Sequence, residues 1–346
     1  MFRRVSLSAC FLLVFLAGCV ISPRRGGTVS GGGGGGGGTP TGKLYVSNDS
    51  QSSILRFDNG LTVNGNVAPA ATISGTATLL HNPQYILLDT AADRLFVANL
   101  NGSNILIWEQ ASTRTGNIAP TRTISSAGLF APTDLALDKG RDLLYVADGT
   151  HIFVFTGASI ANGVVSAARD IVPGFSPGAI HLDATNDRLF AADPATNSVT
   201  VFDNASTLNG SVSGNRRLVG AATGLAQPFG LRIDGLGRLV VSNAAPVPSI
   251  TIYNSAATVN GNLAPAATIS GSNTGLAGPT ENSVNTSATN GELYVADPFG
   301  GKVEIFANLS SANGNIAPTR TISGANTTLN GGGSATARGV AIDPTR

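Results

Sequence analysis

Few side chains in this sequence could do chemistry. There are 3 histidines, 2 cysteines and 20 acidic residues in 346 positions. The one Gly-x-Ser-x-Gly string, "GFSPG" at 174–178, leads into a β-rich run and not into a helix, so it does not read as a nucleophile elbow. A metal-assisted hydrolysis would need several oxygen or nitrogen donors to converge. The candidates are Asp134, Glu281, Asn282 and His181, with Arg338 as a possible contact for an anion. A zinc site is a poor expectation, because His81, His151 and His181 fall in different repeats and at different depths of those repeats. What brings the five candidates together is therefore the question, and the repeats answer it.

An anchor of the type Leu-aromatic-Val-Ala-Asp/Asn recurs with a period of about fifty residues. It reads "LYVSN" from Leu44, "LFVAN" from Leu95, "LYVAD" from Leu144, "LFAAD" from Leu189, "LVVSN" from Leu239 and "LYVAD" from Leu293. A second β-rich run follows each anchor and ends in an aromatic: Phe57, Trp108, Phe155, Phe202, Tyr253, Phe306. That column reads as a packing layer between repeats. A third run follows, in most repeats, an Asn-Gly turn signal, as in "NGNIAPTRTISG" from Asn313. A fourth precedes the next anchor, with Pro six residues before Asp or Asn, as in Pro83 and Asp89.

Four strands in a fifty-residue unit predict an all-β fold, a six-bladed β-propeller of four-stranded antiparallel blades. The chain opens with an anchor lacking its preceding strand and ends with "ARGVAID", which lacks its anchor. Pairing these two would close the ring and remove two exposed sheet edges.

In this register the candidates take positions on the innermost strands, which line the central channel. Counting from the Pro, Asp134 and Glu281 share one column, in blades three and six, on opposite sides of the ring. His181 shares another column with Arg232, and Asn282 interrupts a column that is otherwise apolar. Two readings stand. The five residues form a ligand-binding set, or they are isolated charges in a water-filled channel. The Asp and Asn residues that recur in every repeat read as turn caps, because a single site needs asymmetry.

The segments "GVAID", "ELYVAD" and "KVEIF" resemble NHL-repeat propellers, and more distantly the gluconolactonase and regucalcin type of six-bladed propeller, over residues 43–346. The Asn-His-Leu element itself is absent. The distant resemblance implies a metal-dependent hydrolase or lactonase with its site in the channel as the alternative function, with a divalent metal as cofactor. No ligand position of that family carries over residue by residue. The leading expectation is a binding or scaffolding module without a cofactor.

The N-terminus has the layout of a processed leader: Arg3 and Arg4, an apolar run over 7–16, then "LAGC" ending at Cys19. This resembles a bacterial lipobox, which implies removal of 1–18 and a lipid on the Cys19 sulfur. With Cys10 in the leader, no second thiol remains for a disulfide. Residues 19–42 include eight consecutive glycines and read as a flexible tether, leaving 43–346 as the propeller. Val20 after the cysteine points to the outer membrane or cell surface. The partners expected are the membrane, through the anchor, and a protein or glycan ligand, with the chain a monomer. The body after the tether holds 17 basic and 20 acidic residues with no basic stripe, which argues against nucleic acid.

Overall fold

The computed structural model describes residues 41–329 and 337–346. The leader, Cys19 and the glycine tether lie outside the described residues.

The described chain is a six-bladed β-propeller. Blade one combines Ala337–Asp343, Lys43–Asn48, Ser53–Phe57 and Ala71–Ile73, from the channel outward. Blade two runs Pro83–Asp89, Arg94–Asn99, Asn104–Glu109 and Arg122–Ser125. Blade three runs Asp134–Asp138, Leu143–Ala147, Ile152–Thr156 and Arg169–Val172. Blade four runs Ala179–Asp183, Arg188–Asp193, Ser198–Asp203 and Arg216–Leu218. Blade five runs Pro228–Ile233, Leu239–Asn243, Ser249–Tyr253 and Ala267–Ser270. Blade six runs Asn282–Asn285, Glu292–Asp297, Lys302–Ala307 and Arg320–Ile322.

The ring closes as the offset ends predict. Strand 337–343 pairs antiparallel with 43–48, from Lys43 opposite Asp343 to Val46 opposite Val340, with an irregularity at Ser47 and Asn48.

The hydrophobic core lies between the blades. Leu44 and Val46 of blade one pack with Tyr294 and Ala296 of blade six. Tyr45, on the other face of the same strand, packs with Leu95 and Trp108 of blade two. Alternation along each strand therefore buries both of its faces, one against each neighbour. The aromatic column is part of these layers: each of its six members is at most 2% exposed.

The Asn-Gly loops do more than turn the chain. At each blade interface the loop glycine forms a parallel bridge to the outermost strand of the preceding blade. Gly116 bridges Ile73, Gly163 bridges Ile124, and Gly210 bridges Ile171. Gly261 bridges Leu218, Gly314 bridges Ile269, and Gly65 bridges Ile322 across the closure. At the closure Gly65 N–H donates to the Thr321 carbonyl at 2.7 Å. All six glycines hold positive φ, between +63° and +81°, where a Cβ is strained.

The flanking asparagines lock the loop in place. Asn64 Oδ1 accepts from Thr321 N at 2.9 Å, and Asn66 Oδ1 from Asn326 N at 2.7 Å. The arginine of "TRTI" reaches forward, not outward. Arg320 Nη1 donates to the Gly60 and Val63 carbonyls of the next blade, and Arg122 Nη1 to those of Ala158 and Ala161. Where that position is Ala71 or Ala267, other arginines cross the interface. Arg56 donates to the Arg114 carbonyl, and Arg238 to the Leu309 carbonyl.

Two outcomes check this account. Asn64→Ala with Asn66→Ala removes two latch hydrogen bonds and lowers stability by about 2 kcal/mol, at roughly 1 kcal/mol each, read by denaturant titration. Deleting 337–346 uncovers strand 43–48 and abolishes the cooperative thermal transition followed by circular dichroism.

Candidate functional site

The inner strand of every blade is an edge strand. Its outward neighbour satisfies one row of main-chain groups, and the other row faces the channel. Buried N–H groups there need acceptors. The irregular acidic residues supply them.

Glu281, fully buried at the start of blade six, sends Oε2 to Val340 N of blade one at 2.9 Å and toward Ile86 N of blade two at 3.4 Å. Its Oε1 accepts from Arg232 Nη2 of blade five at 2.5 Å. Arg232 Nη1 donates to its own Leu231 carbonyl at 2.7 Å. Asp134, 1% exposed, accepts from Ile180 N of blade four and from its own Leu135 N, both at 2.7 Å. Tyr85 of blade two spans the bore: its hydroxyl donates to the Phe229 carbonyl of blade five at 2.6 Å. Ser47 adds a further link, accepting from Gly339 N at 2.8 Å and donating to the Gln84 carbonyl at 2.5 Å.

The water-filled channel is thus corrected at this level. Tyr85, Asp134 and Glu281 are buried; Tyr85 ties opposite blades together, and the two acids tie their blades to nearer ones. Room for these side chains comes from Gly230 and Gly339. A Cβ at Gly339 would lie 2.7 Å from Glu281 Oε2, and one at Gly230 2.2 Å from the Thr280 carbonyl.

The other candidates do not join one cluster. Asn282 points away from the bore and donates to Ser242 Oγ of blade five at 2.8 Å. Its Oδ1 is buried with no hydrogen-bond partner. Arg338 pairs with Asp49 Oδ2 at 3.2 Å, so it is already matched with an anion of its own blade. His181 is half-buried below Arg232 and opens onto a cleft toward blade five. Among the described residues, no group of three or more His, Cys, Asp or Glu gathers as a metal site. Each oxygen of Asp134 and Glu281 accepts from main chain or guanidinium, which leaves no carboxylate oxygen aimed at open space.

Burial governs the electrostatics. It pushes Glu281 up to about 8 against the pull of Arg232, with Asp134 adding to the rise. Burial likewise raises Asp134 to about 6, and Arg232 again opposes. His181 falls to about 3, first through burial and then through repulsion from Arg232, so its imidazole is neutral at ordinary pH.

Sequence reasoning missed three residues. Tyr85 and Arg232 stand in the channel columns, but their reach across the bore follows from side-chain length and not from type. Glu304 replaces the Leu55, Leu106 and Phe153 of other blades and is fully buried beside Lys302 Nζ at 2.8 Å. Burial and neighbouring Asp297 raise it to about 8. A lone carboxylate in a column otherwise made of Leu, Phe and Thr was the available signal.

Comparison with known proteins reaches the fold. No protein-family model and no curated protein matches the chain. Among solved structures it is similar to hydrazine synthase of Kuenenia stuttgartiensis, with 13% identity over 75% of this chain and 72% of that one and a TM-score of 0.51. It is also similar to a functionally unknown protein from Desulfotomaculum acetoxidans, with 12% identity over 81% and 79% and a TM-score of 0.53. Fold and site together define a six-bladed β-propeller whose bore is tied shut by its own polar side chains.

The buried acids predict a pH effect. A folded pKa above the unfolded one gives stability that is full below about 4.3 for Glu and is lost as pH rises through the folded value. Above about pH 7, His181 is neutral both folded and unfolded, so it is silent. Stability therefore falls between roughly pH 7 and 9. Glu281→Gln and Glu304→Gln each flatten that slope, and the double variant removes most of it. The measurement is urea unfolding across that range.

Proposed function

We propose that this chain is a lipid-anchored, extracytoplasmic β-propeller that acts as a binding or scaffolding module at the cell envelope. The observation that carries the binding role is where polar and apolar groups sit. The polar groups of the bore are engaged with one another and with main chain, which favours a structural bore over a catalytic one. Large apolar side chains instead stand exposed in the loops at the end of the ring where the inner strands begin: Leu79, Phe130, Val247 and Phe299. They come from blades two, three, five and six. Their gathering on one end of the ring makes that end the face to test for contact.

The anchoring part rests on the leader, on Cys19 and on the glycine run that follows. Several acyl chains on one cysteine would hold the protein to a bilayer, since each buried CH2 adds about 0.8 kcal/mol. The tether would let the ring stand away from the surface.

Membrane fractionation tests the anchor. Cys19→Ala moves the protein from the membrane to the soluble fraction, and an unchanged distribution refutes anchoring through this residue. The binding face has its own test. Phe130→Ser with Phe299→Ser leaves the melting temperature within a few degrees and loses the cross-linked envelope partners of the parent protein.

A further inference from the structure

Blade four breaks the repeat at two positions that face each other. The second and third residues of the outer ladder pair as Leu55 with Thr72, Leu106 with Thr123, Phe153 with Asp170, Thr251 with Thr268 and Glu304 with Thr321. In blade four the pair is Thr200 with Arg217. A small side chain stands where four of the other blades have a large one, and a guanidinium stands where four have Thr. Gly214 lets the chain close down onto Thr200. A Cβ there would lie 2.2 Å from Thr200 Cγ2, and the corresponding residue is Pro in four of the other blades.

The result is a cleft of about 460 Å3 over blade four, between the loop at Pro173–Phe175 and the segment 212–214. That volume is within the range of small-ligand sites. Arg217 is half exposed in it. Its Nε donates to Ser198 Oγ at 3.1 Å and its Nη2 to Thr196 Oγ1 at 2.7 Å. These two bonds fix the guanidinium plane, and Nη1 has no partner among the described residues. Asp193 does not neutralise it closely. The nearest approach is 3.7 Å, and the Asp193 oxygens accept from Ala195 N, Thr196 N and the Thr196 hydroxyl. Phe175 and Val212, half-buried, give the cleft its apolar side, Thr196 and Ser213 add exposed hydroxyls, and buried Asp193 also lines it.

We infer that this cleft binds a saccharide unit bearing a carboxylate. The guanidinium, held in plane with free N–H groups, suits a carboxylate. An aromatic wall suits the apolar face of a sugar ring, and the Thr196 and Ser213 hydroxyls suit ring hydroxyls. The site is separate from the apolar face invoked above and does not depend on the anchor.

The repeat itself supplies the test variants. Arg217→Thr restores the residue that four other blades carry at that place, so it keeps the ladder, and Arg217→Lys keeps the charge without the planar fork. The full chain in detergent is titrated calorimetrically with trigalacturonate, with maltotriose and with inorganic phosphate. The expected result is saturable binding of trigalacturonate, at least about tenfold tighter than maltotriose. Arg217→Thr and Arg217→Lys each weaken it about tenfold or more, both with unchanged melting temperature. Absence of trigalacturonate binding overturns the inference. So does equal binding of maltotriose, phosphate binding that matches trigalacturonate, or binding indifferent to both substitutions. If one variant melts early, the other decides.

Discussion

The structure depends on how a sheet edge is satisfied. Each blade has two edges, one toward the channel and one toward the periphery, and each carries main-chain groups that want partners. At the periphery, a glycine of the following blade supplies a short parallel bridge, held by one or two flanking asparagines. At the channel, Glu281, Asp134, Tyr85 and Ser47 supply what a neighbouring strand would have given. The repeat is regular outside, where one solution serves every interface. It is irregular inside, where six strands converge on one bore too small for six copies of a long side chain.

That difference explains what was legible. Six anchors at even spacing, the buried aromatic column and the offset ends are consequences of period and alternation, and those survive in a single sequence. The recurrence of "NGN" was legible as well, but its meaning was not. Asn-Gly signals a local turn, whereas Asn64 and Asn66 bond residues more than two hundred and fifty positions away. Local chemistry cannot announce a partner brought close only by ring closure.

The candidate residues show the same limit. Asp134 and Glu281 were correctly placed on the inner strands, on opposite sides of the ring. Their role turned on what faced them: Ile180 N, Val340 N and Arg232 are set by the twist and convergence of the blades. Arg338 looked available until Asp49 was placed beside it. Glu304 hid in a strand that otherwise follows the pattern, because a carboxylate in that column reads as exposed until the neighbouring blade covers it.

Closure has one more consequence. Lys43 and Asp343 lie directly opposite each other in blade one, and every interface is held by the same kind of glycine bridge. No blade is privileged as the first. A chain with its two ends joined by a short linker and reopened in a different interblade loop would meet the same set of contacts in a new order. The position of the break is then a matter of convenience to the fold, and the sequence order of the blades is separable from their order in space.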